Sequence, residues 1–475
     1  MIPFFIIKND LSQGGLMAPR RDFDSLSPLD YRYWREDVAM YLSEEAFIGY
    51  KLLVENALVR VLWKRGICSE SAADEISAAC DRVTAEEVYE EEDRIHHDIR
   101  ALVNCIRRKV SDTAKPYVHM MPTSYDIIDT ANAMRMKDVM EHVVVPKLMR
   151  LEKALIDITL READTLQIGR THGQHAVPIT FGFAMAEYVS RLGGCIENLV
   201  FRVCGLEGKC SGAVGAYNAA LIFFEDPEKF EAEVMGELDI PVAEYSTQIV
   251  PPEAMIRLFS ELTLTAGVLA NLADDMRHLQ RTEIGEVGEP FDPDQVGSST
   301  MPQKRNPITF ENAKSMWTII LPRLMTVCMN GISEHQRDLT NSAAARTYGE
   351  SITYLVWMAE RLTGVMEKLV VDKQNLSRNL AMQKDMILAE PLYLILASLG
   401  HPDAHEKVKK LTLLARRGGA TLISAAYEDP EMEPYLDRMT RYQKKILSDP
   451  ALYIGIADRR ARRVAEKWTR ELELE

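Results

Sequence analysis

The stretch MAEYVSRLGGCIENLVFRV, residues 185–203, repeats apolar side chains at Met185, Val189, Leu192, Ile196, Leu199 and Val203. Alternating steps of four and three residues hold these side chains on one narrow stripe of a helix, the pattern of helices that pack side by side in a bundle. The stripe recurs at Leu148, Leu151, Leu155 and Ile158, and again at Ile352, Leu355, Ala359, Leu362, Met366 and Leu369. With one gap it also runs through Leu258, Leu262, Leu269, Leu272, Met276 and Leu279. An all-α fold is therefore predicted, with four or more long helices sharing a core between residues 125 and 370. The segment before residue 120 reads as shorter helices, acidic around EEVYEEEDR. After Asp372 short helices return, ending in ADRRARRVAEKWTRELELE, a charged surface helix with i,i+4 pairs.

A chain of 475 residues with 47% apolar content can bury a large core without staples. Its net charge of −15 argues against a global field that would draw nucleic acid or an anionic membrane. Any anion must then be held by local positive charge. The seven cysteines are odd in number and contain no CxxC pair, which points to a reduced, cytoplasmic protein. The start, MIPFFIIKND, has no basic leader or small-residue cleavage site. It reads as an edge strand or an N-terminal extension rather than a signal peptide. No apolar run approaches the ~20 residues of a membrane span.

Three polar stretches break the helical pattern: HMMPTSYD (119–126), GRTHGQHAVP (169–178) and Gly285–Pro307. They read as irregular connectors, where function concentrates. The third runs into GSSTMPQKRNPITFEN (297–312), with Asn306-Pro307 as a helix start: Asn caps free amides and Pro fits the first helical position. Ser298, Ser299, Lys304 and Asn306 then lie near a helix N-terminus, which favours anions. In the first stretch, His119, Thr123, Ser124 and Asp126 stand at the mouth of a helix, where Thr or Ser can cap it. In the second, Thr171, His172, Gln174 and His175 stand close together. The two histidines have metal-ligand spacing, but no nearby Cys or acid completes a set, so a proton-transfer role is the better reading and no metal or cofactor is called for. In RIHHDIRAL, His97 and Asp98 sit in a helix-like stretch where a structural ion pair is an equal alternative.

GSSTMPQKRNPITFEN resembles the signature loop of the fumarase/aspartase superfamily, GSSxMPxKxNP, and the other two connectors resemble its first two shared regions in the same order. Within that superfamily, TSYDIIDT, TH, SPLDYRYW (27–34), QRDLTNSAAAR (336–346) and AHEKVKKL (404–411) resemble the adenylosuccinate lyase family. Carboxymuconate cycloisomerases share the loop and TSxDxxDT but usually lack the histidine at 172, and remain the rival reading together with other lyases of the superfamily. Retention of Ser298, His172, Lys304 and Asn306 speaks against a catalytically silent scaffold.

The resemblance implies a three-domain subunit, here divided as 1–122, 123–370 and 371–475, whose central helices assemble into a homotetramer with sites shared between subunits. It implies β-elimination of fumarate from adenylosuccinate and from the related succinyl-carboxamide imidazole ribotide, with no partner beyond that nucleotide substrate and other subunits. Carried residue by residue, it makes Ser298 the base at Cβ and His172 the acid for the leaving nitrogen. Lys304 and Asn306, helped by Thr123, Ser124 and Gln248, would hold the succinyl carboxylates. Arg32, Tyr33, Arg337, Ser342 and Arg346 would grip phosphate and ribose. His97, Asp98, His119 and Glu311 would surround the reacting centre, and Thr171, Ser299, Met301 and Leu339 would line it. One departure stands out: the family pattern usually has glycine where this chain has Met121, followed by Pro122.

Overall fold

The computed structural model describes residues 28–291, 300–332, 335–337, 340–383, 385–418 and 420–474. The opening MIPFFIIKND, and with it Ser298, Ser299 and Leu339, lie outside these residues. The helices that position the site are α1 (Glu44–Lys64), α2 (Asp98–Arg108), α3 (Ser124–Val139), α4 (Val145–Arg161), α5 (Phe181–Val203), α6 (Glu253–Leu279), α7 (Ile308–Met329), α8 (Tyr348–Met366) and α9 (Ala457–Glu471). A π-helical turn, Met140–Val144, joins α3 to α4.

The four striped segments are α4, α5, α6 and α8, and their stripes are the core. Met185, Val189, Leu192, Ile196, Leu199 and Val203 of α5 are all buried, as are the stripe residues of α4 and α8. Each large apolar side chain so buried contributes roughly 1.5–3 kcal/mol by leaving water. At Gly193 a Cβ would collide with the indole of Trp468, so the missing side chain lets α9 dock on α5. Helix α6 has the length and apolarity of a membrane span, but Leu258, Leu262, Leu269, Leu272 and Met276 are buried in this core. A second apolar cluster, built from residues including Leu392, Leu396, Leu411, Leu422 and Leu447, lies nearer the C-terminus.

The stretch GRTHGQHAVP is not the irregular connector expected. It forms most of an antiparallel hairpin, β1 (Leu166–Thr171) with β2 (Gln174–Thr180), pairing from Leu166 opposite Thr180 to Thr171 opposite Gln174 with a shift of register between Ile168 and Arg170. His172 and Gly173 have φ of 55° and 72°, the pair of left-handed residues that a two-residue hairpin turn requires. A shorter antiparallel ladder pairs β3 (Val287–Gly288), between α6 and α7 in the chain, with β4 (Val370–Val371), which follows α8.

Helices α6, α7 and α8 give the bundle two ends. At one, Glu286 N–H donates to the Leu279 carbonyl and Glu289 N–H to Gln280 Oε1, so the end of α6 meets the approach to α7. At the other, Asn330 donates to the Tyr348 hydroxyl at 2.7 Å and Gln248 N–H to the Gln336 carbonyl at 3.1 Å, joining the close of α7 to the starts of α6 and α8.

Candidate active site

At the end where α3 begins, a buried carboxylate organises the first connector. Thr123 N–H donates to Asp126 Oδ2 at 2.7 Å. Asp126 is 1% exposed, and it pairs with Lys209, which is wholly buried. The same carboxylate accepts the amides of Ser211 at 3.2 Å and Gly212 at 3.1 Å. Ser211 Oγ lies 2.6 Å from Ser246 Oγ, and Gly215, with φ of 78°, leaves no room for a Cβ against the Ser246 carbonyl. The loop that follows brings Val250 N–H to Asp129 Oδ2 at 2.9 Å. Thr123, Ser124 and Gln248 are thus fixed relative to one another through backbone contacts.

Arg337 joins this group: its Nη2 donates to the Asn330 carbonyl at 3.0 Å, while its Nε is buried without a hydrogen-bond partner among the described residues. Burial pushes the Asp129 carboxyl up to about 7, against the opposing pull of the Val250 amide and of Lys209 and Arg337. Neither Lys209 nor Asp129 was singled out from sequence as a site residue. The signal available was GKCSGAVGAY (208–217), a glycine-rich segment with one lysine and a serine.

His119 belongs to the same end. Its Nδ1 lies 2.6 Å from Glu55 Oε1, and although burial pulls the imidazole down, Glu55 pushes it further up, above its ordinary value. Met121 has φ of 83°, the left-handed geometry that glycine takes without strain, which explains why the family pattern has glycine there. Asp98 opens α2, as the helix-like stretch predicts, but His97 stands just outside it. His96, at φ of 57°, ends one helix, and His97 caps α2 by accepting the Arg100 amide at 3.2 Å. Asp98 lies 3.8 Å from the buried Lys51 ammonium. Arg346 is exposed and pairs with Glu44 at 2.5 Å, and Ser342 is exposed.

The opposite end carries the described part of the signature loop. Met301 to Arg305 are exposed, with Lys304 N–H donating to the Met301 carbonyl at 3.0 Å. Helix α7 begins at Ile308, and its cap comes from far back in the chain. Glu289 accepts the amides of Thr309 and Phe310, both at 2.9 Å, so the dipole expected to attract a ligand anion already holds a carboxylate. Burial raises the Glu289 carboxyl, partly offset by these amides. Glu311 is exposed in the first turn. Beside it, Asn312 donates to the Tyr33 hydroxyl at 3.2 Å, and the Tyr33 ring lies edge-on to Tyr354 with centroids 5.2 Å apart. Arg32 is exposed next to it. A cavity of about 510 Å³ opens here, lined by Thr309, Asn312, Trp357, Glu360 and Arg361 among others.

The hairpin is tied to this same end. Glu286, wholly buried, accepts Gln167 Nε2 at 2.9 Å, Arg170 Nη2 at 2.5 Å and Asn379 Nδ2 at 2.8 Å. Thr171 and His172 stand beyond these bonds at the exposed tip. His175 points inward instead: its Nδ1 is buried without a partner among the described residues, and burial together with Arg170 lowers its pKa.

The chain therefore gathers the expected residues into two groups rather than one. Thr123, Ser124, His119, Gln248 and Arg337 stand at one end; Thr171, His172, Met301, Lys304, Asn306 and Glu311 stand at the other. Helix α7 separates them, and its 22 residues at 1.5 Å each span about 33 Å. One group offers fixed hydrogen-bonding positions and a guanidinium. The other offers an exposed ammonium and an imidazole able to move protons.

Residues 21–321 match the Lyase family model, and residues 333–431 match that of the adenylosuccinate lyase C-terminal region. The chain is 38% identical to an adenylosuccinate lyase of Pyrococcus horikoshii, covering 93% of this chain and 98% of the relative. It is 35% identical to an adenylosuccinate lyase of Archaeoglobus fulgidus, covering 94% and 99%. Among solved structures it resembles the 3-carboxy-cis,cis-muconate lactonizing enzyme of Pseudomonas putida, with TM-score 0.78, 26% identity and coverage of 91% and 97%.

Proposed function

The chain belongs to the adenylosuccinate lyase family of the fumarase/aspartase superfamily, and from that membership we propose that it eliminates fumarate from adenylosuccinate, leaving AMP, and from the succinyl-carboxamide imidazole ribotide of purine synthesis. The observation that carries this reading is the match, along nearly the whole of both chains, to the Pyrococcus horikoshii enzyme.

The reaction removes a weakly acidic proton from carbon beside a carboxylate, so negative charge accumulates on that carboxylate. Lys304 and Asn306 are donors of the right kind to receive it, at about 3–4 kcal/mol per well-placed donor. Ser298 takes the proton; a nearby ammonium such as Lys304 favours the ionised hydroxyl that this requires. His172 gives a proton to the departing nitrogen. Thr123, Ser124 and Gln248 hold the succinyl end. Arg32, Tyr33, Arg337, Ser342 and Arg346 grip the phosphate and ribose.

The two groups of residues lie about 33 Å apart along α7, so one chain cannot bring them onto one substrate. A homotetramer in which His172, the signature loop and the first connector of different subunits meet resolves that separation, and it accounts for Met325, Met329 and Ile332, which are 67%, 72% and 81% exposed at the close of α7. The three-part division of the chain at residues 122 and 370 and a cytoplasmic setting complete the reading.

The test is an ultraviolet assay of adenylosuccinate cleavage with the wild type, Ser298→Ala and His172→Gln. Wild-type turnover is expected, with loss in each variant. Mixing the two inactive variants under conditions of subunit exchange should restore part of the activity, because some sites then receive both intact groups. Turnover of a carboxymuconate instead of adenylosuccinate would move the chain to the rival branch. Failure of every mixture to regain activity would sink the shared site.

A further inference from the structure

Beside the first turn of α7, two arginines lie over one indole. Arg35 and Arg361 place their guanidinium carbons 4.6 and 4.7 Å from the Trp357 ring centroid. Arg361 also lies 5.7 Å from the Tyr33 ring. We infer that Arg361 is a substrate-binding residue, taking the phosphate of the nucleotide in the cavity beside α7 together with Arg32 and Tyr33. This rests on the nucleotide substrate proposed above.

The argument begins with how these charges are spent. Arg35 donates to Asp37 at 2.7 Å and to Glu360 at 2.6 Å, and Glu360 also accepts Lys147 at 2.8 Å. That set is closed. Arg361 forms no ion pair among the described residues, and its Nη1 donates to the neutral Asn312 side chain. It is half-buried and lines the 510 Å³ cavity with Thr309 and Asn312. The helix N-terminus beside it has no free charge to offer, since Glu289 already accepts the Thr309 and Phe310 amides.

Burial, with like charge from Arg32 and Arg35, holds the Arg361 guanidinium below its ordinary value. An incoming dianion relieves that repulsion. Stacking on Trp357 fixes the guanidinium plane, which favours a forked grip on phosphate oxygens. The loop that begins at Met301 reaches α7 only seven residues later, so a phosphate held here is within reach of the described loop.

The experiment uses the full chain with AMP, inorganic phosphate and fumarate as inhibitors of adenylosuccinate cleavage. Arg361→Met is expected to raise KM and the inhibition constants of AMP and phosphate by about 10- to 100-fold, with a smaller change in kcat and none in the inhibition constant of fumarate. Arg361→Lys should fall between, keeping charge but losing the fork. It carries the test should the methionine variant not fold. A rise confined to fumarate would place a carboxylate here and overturn the assignment, as would unchanged AMP and phosphate inhibition with a lowered melting temperature. If the wild type does not cleave adenylosuccinate, the proposed function fails separately, and titration of wild type and Arg361→Met with phosphate alone still decides the role of Arg361.

Discussion

The two ends of the bundle are built on opposite plans. The end with the first connector is closed by buried charge: Asp126 receives Lys209 and three backbone amides, and its neighbouring loops interlock through Ser211 and Ser246. The end with the signature loop is secured at its roots, by Glu286 under the hairpin and Glu289 under α7, and beyond those roots Thr171, His172 and Met301 to Arg305 are exposed. A residue that must hold substrate gains from the first plan, because its position costs nothing to set when the ligand arrives. Residues that must admit a bulky anion and then act on it gain from the second.

If the ends differ in this way, their variants should separate activity from stability. The largest effect is expected in turnover from the exposed end. Lys304→Ala and His172→Gln should lower kcat by about 10²- to 10⁴-fold with no shift in the denaturation midpoint, since both side chains stand in solvent. A drop in the midpoint as large as the drop in rate would erase the contrast.

Lys209→Met probes the closed end. It strands the Asp126 carboxylate in the interior and should cost about 3–5 kcal/mol in urea unfolding. A loss of less than 1 kcal/mol would mean that the pair organises little.

Asp129→Asn tests the same end through pH. The folded carboxyl titrates at about 7, above the unfolded value near 4. The folded state therefore binds the proton more tightly, so wild-type stability relative to the asparagine variant should fall as pH rises from about 4 and level off above about 7. A flat difference across that window would show that the carboxyl is not titrating there.

The smallest effect concerns Met121. Replacement by glycine relieves a left-handed residue, roughly 1–2 kcal/mol, and gives back about 0.5–1 kcal/mol in chain entropy. A net gain below about 1 kcal/mol is expected by thermal unfolding. A clear loss would show that packing of the half-buried Met121 side chain outweighs its backbone strain.

Legibility in the sequence followed the same division. The long helices could be read because burial repeats every three or four residues, and the stripe from Met185 to Val203 is buried throughout. The hairpin was missed because β1 and β2 are short and bound by a polar tip; only the left-handed His172-Gly173 pair betrays a turn, and a histidine there is not a strong turn signal. The cap on α7 escaped notice because Glu289 lies 20 residues from the Thr309 amide it accepts, and local pattern cannot report so distant a partner. Lys209 was invisible for a related reason: its burial depends on a carboxylate 83 residues away. The motif residues stood out, but their division between two ends is a property of the fold.

Helix α7 also acts as a ruler. Because each residue advances the chain 1.5 Å and turns it about 100°, inserting or deleting one in mid-helix would both shift Lys304 and rotate it against Arg337. Drift in this helix should therefore proceed by exchange of side chains at constant length, or by compensated changes that restore the phase, while the surface loops remain free to grow and shrink.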